Sequence, residues 1–232
     1  MNTMQKVGGV AASTAAGTFV FGILLALTRL RDYVTTTDPA VAVPLLVEHE
    51  PMLILWNTVI TIVFGIVMVP LAIALGDRVP RERAGQLARV GLAFGLLWAG
   101  VIIAAGMVIG VGLSTVSSLA STDAQGAQQL WRAVDTVGNG LGGGNEVIGA
   151  VWVIVASLAA WIGRALPRWI CAIGILAGIP GLLTLVPGFA DAGAAFGVAM
   201  IVWFSLVGIA LWYLRPAHER ALSTAPPATA SA

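Results

Sequence analysis

Apolar residues along this chain run in blocks too long for strands, separated by short polar segments. Six blocks approach or exceed the roughly 20 residues that a bilayer crossing needs: 8–30, 51–75, 90–116, 141–163, 169–189 and 194–214. A helix is the only open-ended element that satisfies its own backbone in lipid. The pattern therefore predicts an all-α polytopic membrane protein, a bundle of six transmembrane helices over residues 8–214. Residues 1–7 precede it, and the Ala/Pro/Ser/Thr-rich tail 215–232 has the composition of a disordered segment. Lys6 ahead of the first block resembles a signal-peptide start. That block, however, ends at Arg29 and Arg31 without a small-residue cleavage site, so an uncleaved helix is expected.

The polar segments set direction and leave little room for other structure. Nine basic residues (Lys6, Arg78, Arg81, Arg83, Arg89, Arg164, Arg168, Arg215 and Arg220) fall on one side, and three (Arg29, Arg31 and Arg132) on the other. The positive-inside rule then puts both termini in the cytoplasm. The longest connections, 31–50 and 117–140, lie outside and are too short for a soluble catalytic domain. Within the second, Ala127, Leu130, Trp131, Val134 and Val137 recur at helical spacing, with Ser121 or Thr122 as cap. This predicts a short interfacial helix.

Composition removes whole classes of function. Hydrophobic residues make up 58% and charged ones 10%, against about 25% charged in an ordinary soluble domain. Mean hydropathy is +0.93, and the net charge of +1 offers nothing to a nucleic acid. One cysteine, Cys171, allows no internal disulfide; His49 and His218 both sit in polar segments, which excludes a haem held between spans. Lys6 is the one lysine, so a buried Schiff base has no partner. No metalloprotease, phosphate-loop or hydrolase-elbow motif occurs. No enzyme activity, cofactor or metal site is expected. The 11 arginines against one lysine, with abundant Ala and Gly, suggest a bacterial inner membrane.

Few polar groups remain inside the apolar blocks. Glu146 is the one carboxylate clearly within a block, and intramembrane carboxylates are costly and face protein or water. Gly142, Gly149, Ala150 and Ser157 share its helical face, which turns it towards the bundle, with Arg29 or Arg132 as candidate partners. It serves either as a ligand, proton or ion carrier, or as a helix cap. Asn145, Asn57, Thr61 and Trp152 complete a candidate outward-opening pocket; Asn57 and Thr61 fit interhelical hydrogen bonds equally well. Of eight tryptophans, Trp98, Trp152 and Trp203 lie deepest. Gly91/Gly95, Gly106/Gly110 and Gly174/Gly178 are helix-packing pairs. Pro70 and Pro180 should kink their spans, and Gly178, Pro180 and Gly181 make the fifth the expected broken helix. Glu48, His49 and Glu50 read as a solvated loop, and Arg78, Arg81, Arg83 and Arg89 as a basic strip facing anionic headgroups.

The run from Gly140 to Trp152, the Arg-rich loop before Gly91–Gly95 and the closing Trp203–Gly208 resemble a bacterial six-span family catalogued as domain of unknown function 4386. The resemblance covers about residues 5–215 and implies the architecture without an activity. Two readings follow. One is a small-ligand-binding or transport protein built around Glu146. The other is a non-catalytic accessory protein that meets a second copy or another membrane protein through its glycine faces. Membrane lipids are the common partner of both.

Overall fold

The computed structural model describes residues 3–143, 146–189 and 191–213, which contain helices and no strand. The helices are α1 (Thr3–Leu27), α2 (Arg31–Thr35), α3 (Pro39–Asn57), α4 (Phe64–Arg78), α5 (Arg81–Ala120), α6 (Ala124–Gly138), α7 (Val147–Gly163), α8 (Arg168–Leu183) and α9 (Ala192–Tyr213). Two π-helical segments interrupt them: Thr58–Val63 joins α3 to α4, and Asn139–Gly143 follows α6. The molecule is an all-α polytopic membrane bundle.

Among the described residues, five helical stretches are long and apolar enough to cross a bilayer: Thr3–Leu27, Pro39–Arg78, Arg81–Ala120, Ala124–Gly163 and Ala192–Tyr213. The apolar α8 is shorter, with 16 residues. Its length of about 24 Å falls below the ~30 Å hydrocarbon thickness. The block 169–189 thus overstates this helix, because 184–189 forms turns with Gly188 at φ 88°. The expected break at Pro180 is also absent, since α8 runs continuously through it. The interrupted span is the fourth, where Gly142 adopts φ 139°, a conformation reserved for glycine.

Chain order is also spatial order. α1 packs on α4, α4 on α5, α5 on α7, α7 on α8, α8 on α9, and α9 returns to α1. Aromatic rings fill the axis of this closed ring. Phe19 stacks edge-on with Phe64 at 5.3 Å, Phe64 with Trp98 at 5.0 Å, and Trp98 lies 5.7 Å from Trp152. Trp152 meets Trp203 at 5.4 Å, and Trp203 lies 5.5 Å from Phe204.

Glycines make room for these rings. A Cβ at Gly95 would lie 2.6 Å from Trp152 Nε1, one at Gly149 2.5 Å from Trp98, and one at Gly181 2.9 Å from Phe196. At Gly174 it would overlap both Ser157 Oγ and Trp203 Nε1. Gly91 faces Val155 and Ala156, Gly106 faces Thr61, Gly110 faces Asn57, and Gly178 faces Ile154. All six expected packing glycines therefore meet helices of their own chain.

The start of α1, the end of α4, the α7–α8 turn and the end of α9 share one end of the bundle. Gly8 abuts Ala74 and Leu211, and Gly9 abuts Trp212. Arg78 is buried there: its Nε donates to the Ala165 carbonyl at 2.7 Å and its Nη1 to that of Ala210 at 3.5 Å. Arg78 thus leaves the basic strip and becomes a tie between three segments. Arg164, at φ 53°, closes α7 in a left-handed cap, and this presents the Ala165 carbonyl.

The opposite end extends beyond the ring. Pro39–Arg78 and Arg81–Ala120 each hold 40 residues, a contour of about 60 Å, twice the hydrocarbon thickness. Their overhang packs with α2 and α6 around a second core containing Leu30, Val43, Leu46, Leu53, Leu113, Val116 and Trp131. The segments 31–50 and 117–140 are therefore mostly helical. Asp38 caps α3 through the Ala40 N–H, with Pro39 in the first turn. Asp123 caps α6 through the Gly126 N–H, displacing Ser121 and Thr122 from that role. Glu48, His49 and Glu50 lie on α3 rather than in a loop, and Glu50 accepts from Ser117 Oγ at 2.5 Å. A kink at His49 (φ −112°, ψ 16°) precedes Pro51, whose ring and missing N–H disrupt the turn before it.

Steric placement gives a direct test. Gly174→Leu should lower the thermal midpoint in detergent by an amount equivalent to about 1–3 kcal/mol, the usual cost of overpacking. Gly100→Ala, with nothing within 4 Å of its new methyl group, should leave the midpoint unchanged or raised.

Candidate functional site

The overhang encloses a cavity of about 210 Å³. Its deeper wall is apolar, with Leu46, Leu53, Leu113 and Val116, and three aromatic side chains, Tyr33, Trp56 and Trp131, also line it. The polar groups are Asn57, Thr36, Asn139 and Asp135. Trp131 is buried, whereas Asp135 and Asn139 are exposed, which puts them at the mouth. Trp131, Val134, Asp135 and Asn139 follow helical spacing, so a single face of α6 and its π-helical continuation builds one wall.

Two bonds between elements hold the aromatic side. Trp131 Nε1 donates to the Tyr33 hydroxyl at 3.2 Å, tying α6 to α2. Trp56 Nε1 donates to the Gly22 carbonyl at 3.0 Å, anchoring the wall to α1. Burial pushes the Tyr33 phenol above its ordinary value, and the negative charge of Asp135 adds to this; the bond from Trp131 opposes it. The field of Asp135 thus reaches the cavity's aromatic wall.

At two places on the lining, buried Asn57 and exposed Asn139, helix geometry departs from α. Asn57 ends α3, and the π-helical segment begins at Thr58; Asn139 itself opens the second π-helical segment. Asn57 is buried and its Nδ2 donates to the Gly106 carbonyl at 2.8 Å, while Thr61 Oγ1 donates to the Asn57 carbonyl at 2.6 Å. The wider turn displaces backbone bonds by one residue, and such insertions concentrate at functional sites. Here Asn139 of one such segment lines the cavity, together with Asn57 immediately before the other.

Other sequence candidates are distributed differently. Asn57 and Thr61 come together, and Asn57 lines the cavity. Trp152 lies in the aromatic axis, fully enclosed. Glu146 occupies the N-cap of α7 and is half-buried, but its side chain makes no capping hydrogen bond. Its Cγ faces the α9 start, 3.8 Å from where a Cβ on Gly193 would be. Among the described residues no ion pair joins Glu146 to Arg29 or Arg132. Asn145 lies outside the described residues. Among the described candidates, Asn57 lines this cavity, while Trp152 lies in the aromatic axis and Glu146 at the start of α7.

Residues the sequence reading overlooked are Tyr33, Asp135 and Asn139. The spacing of Asp135 and Asn139 from Trp131 was visible along α6. Tyr33 carries no such signal, because α2 has five residues and no periodicity of its own.

A family model described as Domain of unknown function (DUF4386) matches residues 12–215. Searches of curated proteins and of solved structures each returned no match.

The Tyr33 environment has a measurable consequence. In a Tyr213→Phe background, near-ultraviolet absorbance should show Tyr33 ionising above its ordinary value of 10.0, and Asp135→Asn should bring it part of the way back. The neutral phenol is the favoured folded form. Its contribution to stability is therefore constant below pH 10 and is lost as pH rises through the elevated value. Ionisation at the ordinary value would show that the cavity wall is open to bulk water.

Proposed function

Since the chain belongs to the family described as a domain of unknown function, DUF4386, whose description carries no activity, we propose that it is a small-ligand-binding, transport-type membrane protein whose site is the outer cavity. The observation that carries this reading is one partly apolar, partly polar cavity lined by Asn57, the residue before one π-helical segment, and by Asn139, the first residue of the other. An engineered apolar cavity of about 150 Å³ takes benzene, so a cavity of about 210 Å³ suits a compact molecule or the head of a larger one. Aromatic walls supply contact area, and Asn57, Asn139 and Tyr33 supply orientation. The reading is non-catalytic and needs no cofactor. It puts the cavity on the outer face of a bacterial inner membrane and both termini in the cytoplasm, following the distribution of arginine.

The site differs from a pocket centred on Glu146. On this reading Glu146 is a carboxylate apart from the cavity, and its role in ligand response is secondary. The alternative of an accessory protein acting through glycine faces loses its motivation, because Gly91, Gly95, Gly106, Gly110, Gly174 and Gly178 are occupied by neighbouring helices of the chain.

Thermal stability and tryptophan fluorescence of the purified protein, across a panel of organic cations, lipids and metabolites, test this. A ligand at 100 times its dissociation constant should stabilise the wild type by about 2.7 kcal/mol. Thr36→Trp, which crowds the cavity, should abolish the shift, and Glu146→Gln should retain it. Loss of the response in Glu146→Gln with retention in Thr36→Trp would move the site to Glu146 and overturn the proposal.

A further inference from the structure

Behind the outer cavity runs a shallow, exposed apolar groove, lined by Met107, Val108, Val111, Thr115 and Leu130 together with Gly112 and Val134. The last two residues also line the cavity. Groove and cavity are thus separated by one thin wall, formed where Val134 of α6 sits on Gly112 of α5; a methyl group at Gly112 would overlap Val134 Cγ1. The wall is a single branched side chain resting on a residue that has none. Val134 is thus the side chain that would have to turn away from Gly112 for the two spaces to join.

The two sides of this wall differ in chemistry. In the groove, the one hydroxyl, Thr115 Oγ1, is already donated to the Val111 carbonyl at 2.8 Å. Met107 and Val111 are 57% and 71% exposed there, so the groove offers apolar contact alone. On the cavity side, Asp135 is the one charged group among the lining residues, and it stands with Tyr33, Trp56 and Trp131. A carboxylate beside aromatic faces attracts a cation and disfavours an anion.

Resting on the cavity as the ligand site, we infer that the ligand is a single-chain amphiphile drawn from the outer leaflet. Its positively charged ammonium head occupies the cavity near Asp135, and its hydrocarbon tail lies in the groove beyond Val134. The occupant is set by the adjacency of the two spaces across Val134 and by their division into one apolar and one negatively charged half. Val134 acts as a positioning residue for entry, and Asp135 as the counter-ion.

Titration of the full-length protein in maltoside micelles with butylammonium and dodecylammonium, followed by tryptophan fluorescence, tests the inference. Wild type is compared with Val111→Phe, which fills the groove from an exposed position, and with Asp135→Asn. The dodecyl-to-butyl affinity ratio should fall about tenfold in Val111→Phe, with butylammonium binding unchanged; this comparison cancels partition of the chain into the micelle. Asp135→Asn should weaken both amines about tenfold, and dodecyl sulfate should fail to displace them. An unchanged ratio in Val111→Phe would overturn the tail assignment while leaving the cavity as a site for the head. Undiminished binding in Asp135→Asn, or displacement by dodecyl sulfate, would overturn the cationic head. Absence of binding by either amine to wild type would overturn the inference entire, and the wider ligand panel with Thr36→Trp then decides the cavity reading separately.

Discussion

Aromatic rings stacked along the bundle axis against glycine are the contact on which the rest of this structure depends. Lipid tails are as apolar as the helix surfaces, so burying hydrocarbon cannot by itself hold membrane helices together; close packing must. Phe19, Phe64, Trp98, Trp152, Phe196, Trp203 and Phe204 come from five helices and fill the centre of the ring. The sixth, α8, joins by bringing Gly174 against Trp203 and Gly181 against Phe196. Large rings on one helix require missing side chains on the next, so the glycines and tryptophans form one complementary set.

Filling the axis also decides where a ligand can go. A ring of helices around a solid aromatic core leaves its middle closed, and the usable space is displaced to the overhang. There α3 and α5 run past the hydrocarbon thickness and need a core of their own, which α2 and α6 complete. The polar step of Asn57 and Thr61 lies at the junction between the two cores. The bond from Asn57 to the Gly106 carbonyl ties the end of α3 to α5, and Thr61 donates back to Asn57 from the π-helical turn.

At the opposite end, a buried arginine takes the place that aromatic packing holds in the middle. Arg78 reaches two carbonyl groups on different segments, a use suited to the fixed fork of a guanidinium. A charge count records Arg78 as one of nine similar residues, and only burial separates it from Arg81 and Arg83. The same holds for Glu146. Sequence isolates it as the carboxylate within an apolar block, yet it stands at the start of α7 beside Gly193 of α9.

Block length and hydropathy by themselves determined that this chain is a helical membrane bundle, because unbroken apolar runs of this length satisfy their own backbone in lipid only as helices. The same pattern located α6, since Trp131 and its neighbours repeat at helical spacing, and it marked the glycines as contact positions. Tertiary structure alone decided which surfaces those glycines meet, that 31–50 is mostly helix, and that Tyr33, Asn57, Asp135 and Asn139 enclose one space. Periodicity records which face of a helix is apolar. It carries no information about which two faces, distant in sequence, come to lie on either side of the same cavity.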